Sequence, residues 1–135
     1  MPLIGIDYGG RRIGVAVSQS GVLASPHSVI ENDDAAMDKL AALAEEVEAD
    51  GFVVGLARRA RSQDGERKFH DFAERLRQKT CKSVVLWDET LSTVEASERL
   101  RAGGRKTSRV KQDIDMYAAA VILQSYLDRS AGRTP

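Results

Sequence analysis

Two apolar runs flank a glycine turn at the N-terminus: Leu3 to Asp7 and Ile13 to Ser18, joined by Tyr8-Gly9-Gly10-Arg11-Arg12. Short apolar runs bounded by turn residues read as strands, and two of them across so short a turn form an antiparallel hairpin. The paired glycines supply the backbone freedom that the turn requires. The first run, short and apolar, reads as a buried strand, so the hairpin belongs inside the fold.

The remaining segments supply the layers. A third strand is predicted from about Gly21-Val22-Leu23-Ala24 through Pro26 to Ile30, the proline marking an edge or an irregularity. A helix is predicted over Ala35 to Ala49, with Ala36, Leu40, Leu43 and Val47 at helical spacing and Asp33 or Asp34 as cap. Gly51 to Gly55 is a short buried strand, and Ala57 to Asp64 is a polar, basic loop. A second helix presents Phe69, Phe72, Ala73 and Leu76 on one face, and Ser83 to Trp87 is another buried strand. Ser92-Thr93-Val94-Glu95 fits a capping box for a helix running to about Arg101, which Gly103-Gly104 ends. A last helix is expected from about Gln112 to Leu127, and residues 130–135 as a frayed tail. The order predicts an α/β fold with a mixed five-stranded sheet, an antiparallel three-strand meander plus two parallel strands, with helices on both faces. Residues 1–129 are expected to make one domain, since 135 residues suit a single core.

With 42% hydrophobic residues the chain is not disordered, and no apolar stretch approaches the roughly 20 residues that a bilayer requires. The N-terminus lacks a basic leader, and Cys81 is the only cysteine, so a cytoplasmic protein with no disulfide and no membrane partner is expected. Twenty Lys+Arg against twenty Asp+Glu give zero formal charge, which speaks against a nucleic-acid partner only until the distribution is read. Glu31 to Asp50 carries eight acids and one base, whereas Arg99 to Lys111 carries six bases and no acid. A second basic knot, Arg58-Arg59-Ala60-Arg61, follows a predicted strand. The pattern is either two solvated faces of unlike sign or a dipolar domain with one face for a polyanion.

Three acids stand out by position. Asp7 ends the first strand, Glu89 follows the strand that ends at Trp87, and Asp115 is placed in the first turn of the last helix. Ligands bind at strand ends in such sheets, where distant carboxylates can converge. Clustered carboxylates repel and resist joint ionisation, so a hard cation such as Mg²⁺ or Mn²⁺ is their natural counter-ion. Small residues at Ala118 and Ala119 would let the last helix approach the sheet and bring Asp115 near Asp7. Each acid also has a plainer use. Asp7 can cap the glycine turn, Asp115 can complement a helix dipole, and Glu89 or its neighbour Asp88 can be a surface acid.

Four segments, Gly5 to Ser18, Val54-Gly55-Leu56, Asp88 to Ala96 and Ile114 to Leu127, together resemble the YqgF/RuvX family, in order and over almost the whole chain. That family is described both as nucleases maturing pre-16S ribosomal RNA and as Holliday-junction resolvases. The resemblance implies a ribonuclease H-like fold, with Asp7, Glu89 and Asp115 as catalytic, metal-holding acids for two Mg²⁺ or Mn²⁺ ions. One segment departs from the pattern: Ala57 stands where the family commonly has proline, and an arginine-rich loop follows, which touches substrate preference and leaves the acids intact.

The expected activity is therefore metal-dependent phosphodiester hydrolysis, in RNA first and in single-stranded DNA second. Arg11, Arg12, Arg58, Arg59, Arg61, Arg101, Arg105, Lys106, Arg109 and Lys111 are the expected phosphate contacts. Nothing announces a large apolar dimer surface, so a monomer or weak dimer is expected. A junction resolvase would need a stable one. Two non-catalytic readings stand beside this, a silent nucleic-acid-binding module and an interaction protein docking through the acidic 31–50 helix. Trp87 is expected in the core and Tyr8 as a possible base-stacking ring, while His27, His70 and Cys81 have no partners that suggest chemistry.

Overall fold

The computed structural model describes residues 1–56, 62–87 and 107–130 of the chain, the side chains of 107–113 excepted. Five strands form one sheet: β1 (Leu3–Tyr8), β2 (Arg12–Ser18), β3 (Ser25–Glu31), β4 (Gly51–Leu56) and β5 (Ser83–Leu86). Their order is β3-β2-β1-β4-β5, with β1-β2 and β2-β3 antiparallel and β1-β4 and β4-β5 parallel. This is the mixed sheet expected from the sequence. Helices α1 (Ala36–Glu46) and α2 (Gln63–Thr80) cover one face, and α3 (Thr107–Ser130) covers the other.

Strand alternation divides the core in two. Ile4, Ile6, Tyr8, Ile13, Val15, Phe52 and Val54 face α1 and α2, where Leu40, Phe69, Phe72 and Leu76 complete the larger cluster. Ala16 and Val53 face α3 and meet Ala119, Ile122 and Leu123. Tyr8 therefore packs inward, its ring 4.7 Å from Phe72 and 6.2 Å from Phe69, and is not available to stack on a base.

Several boundaries differ from expectation. Residues 21–24 are not strand: the Ser18 and Ser20 hydroxyls accept from Gly21 and Val22 N–H and fold the chain into a turn. The side chain of Gln124 on α3 then accepts from Ala24 N–H and donates to Val22 O, both at 2.9 Å. Helix α1 ends at Glu46, three residues early, because Glu48 takes a left-handed φ of 54°. Its start has no side-chain cap on the helix; the Asp33 carboxylate instead accepts from Ala35 N–H at 3.0 Å. Gln63 and Asp64 belong to α2, whose N-cap Ser62 accepts from Gly65 N–H, and not to a loop. Helix α3 begins at Thr107, so Asp115 lies past its second turn and no dipole argument applies to it. It also runs to Ser130, beyond the predicted Leu127. The helix predicted from Ser92 and the tail 131–135 lie outside the described residues.

One small electrostatic device is testable. Asp64, exposed in the first turn of α2, accepts from Arg67 and pairs with Lys68, and these partners hold its carboxyl below the ordinary value of 3.8. A depressed carboxyl contributes stability above its unfolded pKa and loses it as pH falls through the folded value. The stability gap between wild type and Asp64→Asn should therefore be constant at neutral pH and close below the ordinary carboxylate range, read by urea titration at pH 7 and pH 3.

Candidate functional site

Asp7 is the penultimate residue of β1, and alternation turns it to the α3 face. It is 1% exposed. In the ladder it stands opposite Gly14 of β2 and Gly55 of β4. Both neighbours lack a side chain, and the reason is the helix above. A Cβ on Gly14 would overlap the Asp115 carbonyl, and one on Gly55 would come within 2.7 Å of Ile122 Cδ1. Gly5, two residues before Asp7, meets α3 in the same way: a Cβ there would lie 2.6 Å from Leu123 Cβ.

Glycines on the sheet and the buried alanines Ala118 and Ala119 on the helix thus bring the two backbones together. Asp115, also 1% exposed, rests its main chain on Gly14, directly across from Asp7. The structure therefore brings two of the three expected acids to one place, at the carboxyl end of β1. The sheet's glycines contribute to this approach as much as the helix alanines Ala118 and Ala119 do. The sequence carries the signal: Gly5 and Asp7 on β1, and Gly14 and Ala16 on β2, are small or acidic at period two on one face.

Arg12 opens β2 at this end. Its Nε lies 2.8 Å from Asp115 Oδ2, an ion pair between a one-third exposed base and a buried acid. Burying a carboxylate costs several kcal/mol unless a cation faces it, so Arg12 is part of what allows Asp115 to be there. Arg12 was expected to contact phosphate; the structure places it on Asp115. Arg11 beside it is exposed. The turn carrying both is fixed by Asn32 after β3, whose N–H donates to Arg11 O at 2.9 Å and whose Nδ2 donates to Gly9 O at 2.8 Å.

On the far side of β4, the Trp87 N–H donates to Val54 O at 2.8 Å. Its ring leans toward α3: Nε1 donates to Ser125 Oγ at 3.2 Å, Tyr126 packs edge-on at 5.5 Å, and the Arg129 guanidinium sits 5.7 Å from the ring centre. Trp87 is thus a half-buried brace between sheet and helix. Glu89, Arg58, Arg59, Arg61, Arg101, Arg105 and Lys106 lie outside the described residues. Arg109 and Lys111 lie in α3, their side chains outside the described set. Among the described residues, no three His, Cys, Asp or Glu side chains form a metal-sized group.

The donor chemistry at Asp7 and Asp115 suits a hard divalent cation. Both groups offer carboxylate oxygens, both are buried, and one already faces a guanidinium cation. His27, His70 and Cys81 stand elsewhere. Cys81 is exposed and caps α2 in a left-handed conformation, φ 57°, its N–H donating to Arg77 O at 2.8 Å.

Residues 1–129 match the family described as RuvX: Holliday junction resolvase. A Lactiplantibacillus plantarum protein named as a candidate pre-16S rRNA nuclease is 41% identical over 138 residues, covering 96% of this chain and 95% of the relative. A Nitratidesulfovibrio vulgaris protein of the same name is 38% identical over 141 residues, covering 100% of this chain and 99% of the relative. Among solved structures, Thermus thermophilus RuvC bound to a Holliday junction superposes with a TM-score of 0.60 at 14% identity, covering 98% of this chain and 96% of that one. The Fowlpox virus resolvase bound to junction DNA gives 0.54 at 11% identity, over 96% and 99% of the two chains. At such identities these two likenesses carry the fold alone, and it is the ribonuclease H-like fold expected from the sequence.

Proposed function

This chain belongs to the RuvX family, and we propose on that premise that it is a divalent-metal-dependent nuclease acting on RNA, with pre-16S ribosomal RNA as the substrate class. The observation that carries the reading is the burial of Asp7 and Asp115 together at the end of β1, where a stripe of glycines clears the space between strand and helix. Relatives named as nucleases of that RNA, matching nearly end to end, supply the substrate class. A cytoplasmic setting accords with this; no helix among the described residues is long and apolar enough to cross a membrane.

In this reading Asp7, Asp115 and Glu89 would hold Mg²⁺ or Mn²⁺, the third acid coming from the sequence two positions past Trp87. Bound there, divalent cations supply charge neutralisation at phosphorus and activation of the attacking water. The chain's own residues supply position. β2 and β4 pair with β1 on its two edges and hold Asp7 in the ladder, and Arg12 holds the Asp115 carboxylate. Exposed Arg11, with Arg58, Arg59, Arg61, Arg101, Arg105, Lys106, Arg109 and Lys111, attracts phosphates without reading sequence. Arg12 positions the Asp115 carboxylate through Nε, and its one-third exposed guanidinium stays among the proposed phosphate contacts.

A cleavage panel tests the proposal. Purified protein with Mn²⁺ or Mg²⁺ is offered single-stranded RNA, single-stranded DNA, duplex and four-way junction, with chelator as control. RNA cleavage that vanishes with chelator is expected, and metal-independent or absent cleavage on every substrate would defeat it. Junction resolution by a dimer is the second reading, favoured by the family's description and by nothing in the site itself. A tight symmetric dimer in sedimentation, with paired nicks in the junction, would select it.

A further inference from the structure

The sheet's other face carries a feature that hydrolysis does not use. Two helices at about 9 Å spacing span about 20 Å, whereas five strands at about 4.8 Å present about 24 Å. One strand must therefore be left under-roofed, and it is β3, whose residues are intermediate or exposed throughout. A trough of about 750 Å³ runs between β3 and α1, floored by Val15 and Ile30 and walled by Leu40 and Leu43. A second hollow of about 540 Å³ continues it past Val17 and Pro26 toward Leu23, a side chain 69% exposed; His27 and Glu46 line both.

The rim is acidic. Glu45 and Glu46 line the trough against Lys39, and the segment Glu31 to Asp50 carries eight of the chain's twenty acids with that one lysine. A polyanion is repelled there. Strand addition to β3 is also disfavoured. The register slips between Val15 and Ala16 so that His27 bulges, and Pro26 lacks an N–H. What remains is a trough on the strand's face, bounded by an 11-residue helix.

We infer that this trough docks a basic amphipathic helix of a partner protein, apolar anchors entering against the accessible Ile30 and Ala42 while Lys and Arg meet Glu45 and Glu46. The mode is helix-in-groove recognition, with charge complementarity setting the sign of the partner. It is independent of the cleavage reading, because α1 and the Asp7–Asp115 pair lie on opposite faces of the sheet.

The test uses the full-length protein, ¹⁵N-labelled, and a synthetic peptide of about 16 residues, roughly 24 Å as a helix, with Leu at i, i+3, i+4 spacing and Lys elsewhere. Controls are an isomer of the same composition with alternating Leu and Lys, and a single-stranded RNA oligomer. Shifts confined to Ser28, Ile30, Ala42, Leu43 and Glu46 are expected, with at least 10-fold weaker binding of the isomer. Glu45→Lys with Glu46→Lys, and separately the exposed Ala42→Trp as a plug, should each weaken the peptide at least 10-fold and leave RNA cleavage unchanged. Shifts scattered over every acidic surface, equal binding of the isomer, or undiminished binding to Ala42→Trp would overturn the inference. So would displacement of the peptide by RNA or by a second copy of the chain.

Discussion

Asp7→Asn is expected to lower cleavage by about 10³-fold or more, a loss of about 4 kcal/mol in transition-state stabilisation, while the protein stays folded. The substitution keeps the shape of a residue that is 1% exposed in a well-paired strand, so the hairpin has no steric reason to change. In metal-free buffer the Tm of Asp7→Asn should stay close to the wild-type value, because the substitution keeps the size and shape of the buried side chain. Added Mn²⁺ separates the two. A ligand that binds only the folded state at a hundred times its Kd stabilises it by about 2.7 kcal/mol, and the wild type should show that rise while the variant does not. Asp115→Asn should lose cleavage as well and differ in stability. It breaks the ion pair with Arg12 and leaves the guanidinium opposite an amide, so its metal-free Tm should fall. Full cleavage by Asp7→Asn, or an equal metal-induced rise in both proteins, would remove Asp7 from the metal site.

The contrast between these acids shows what local sequence can carry. Asp7 was legible because a strand, a turn and an acid at their junction are contiguous in the chain, and alternation fixes its face. The same alternation sends Tyr8 to the opposite face, among Phe69 and Phe72, so its burial was readable from Asp7 alone. The apolar runs at β1, β2, β4 and β5 and the 3.6-residue pattern of α2 were legible for the same reason: each is a short-range pattern that the core selects directly.

What escaped the reading was set by distant partners. The bends at 21–24 are held by Gln124 of α3, about a hundred residues away, and no local signal at Val22 or Leu23 announces that clamp. The start of α3 at Thr107 was missed because the stretch from Thr107 to Lys111 is basic and lacks apolar periodicity, although arginine and lysine are good helix formers. Arg12 has the composition of a phosphate contact, and only the folded chain reveals Asp115 beside it.

Gly14→Ala carries the second large effect, and it tests the geometry independently of the chemistry. The added methyl would fall on the carbonyl of Asp115, a backbone group that no rotamer change can move aside. The sheet cannot yield either, since β2 is paired on both edges. Helix α3 must then retreat, opening contacts along its seam with Gly5, Ala16 and Gly55. Overpacking of this kind costs about 1–3 kcal/mol, occasionally more, and an obstacle made of main chain belongs at the upper end. The retreat would also carry Asp115 away from Asp7 by about 1 Å, and a misplacement of that size can cost about 10²-fold in rate. Gly10→Ala is the matched control. Contrary to the expectation that the turn needs glycine freedom, Gly10 has no left-handed φ and a Cβ there meets nothing within 4 Å, so the variant's stability should stay within about 0.5 kcal/mol of wild type. Urea midpoints and RNA cleavage rates on the two variants decide the matter. If Gly14→Ala melts and cleaves as Gly10→Ala does, helix and strand do not approach as closely as described, and the convergence of Asp7 and Asp115 fails with them.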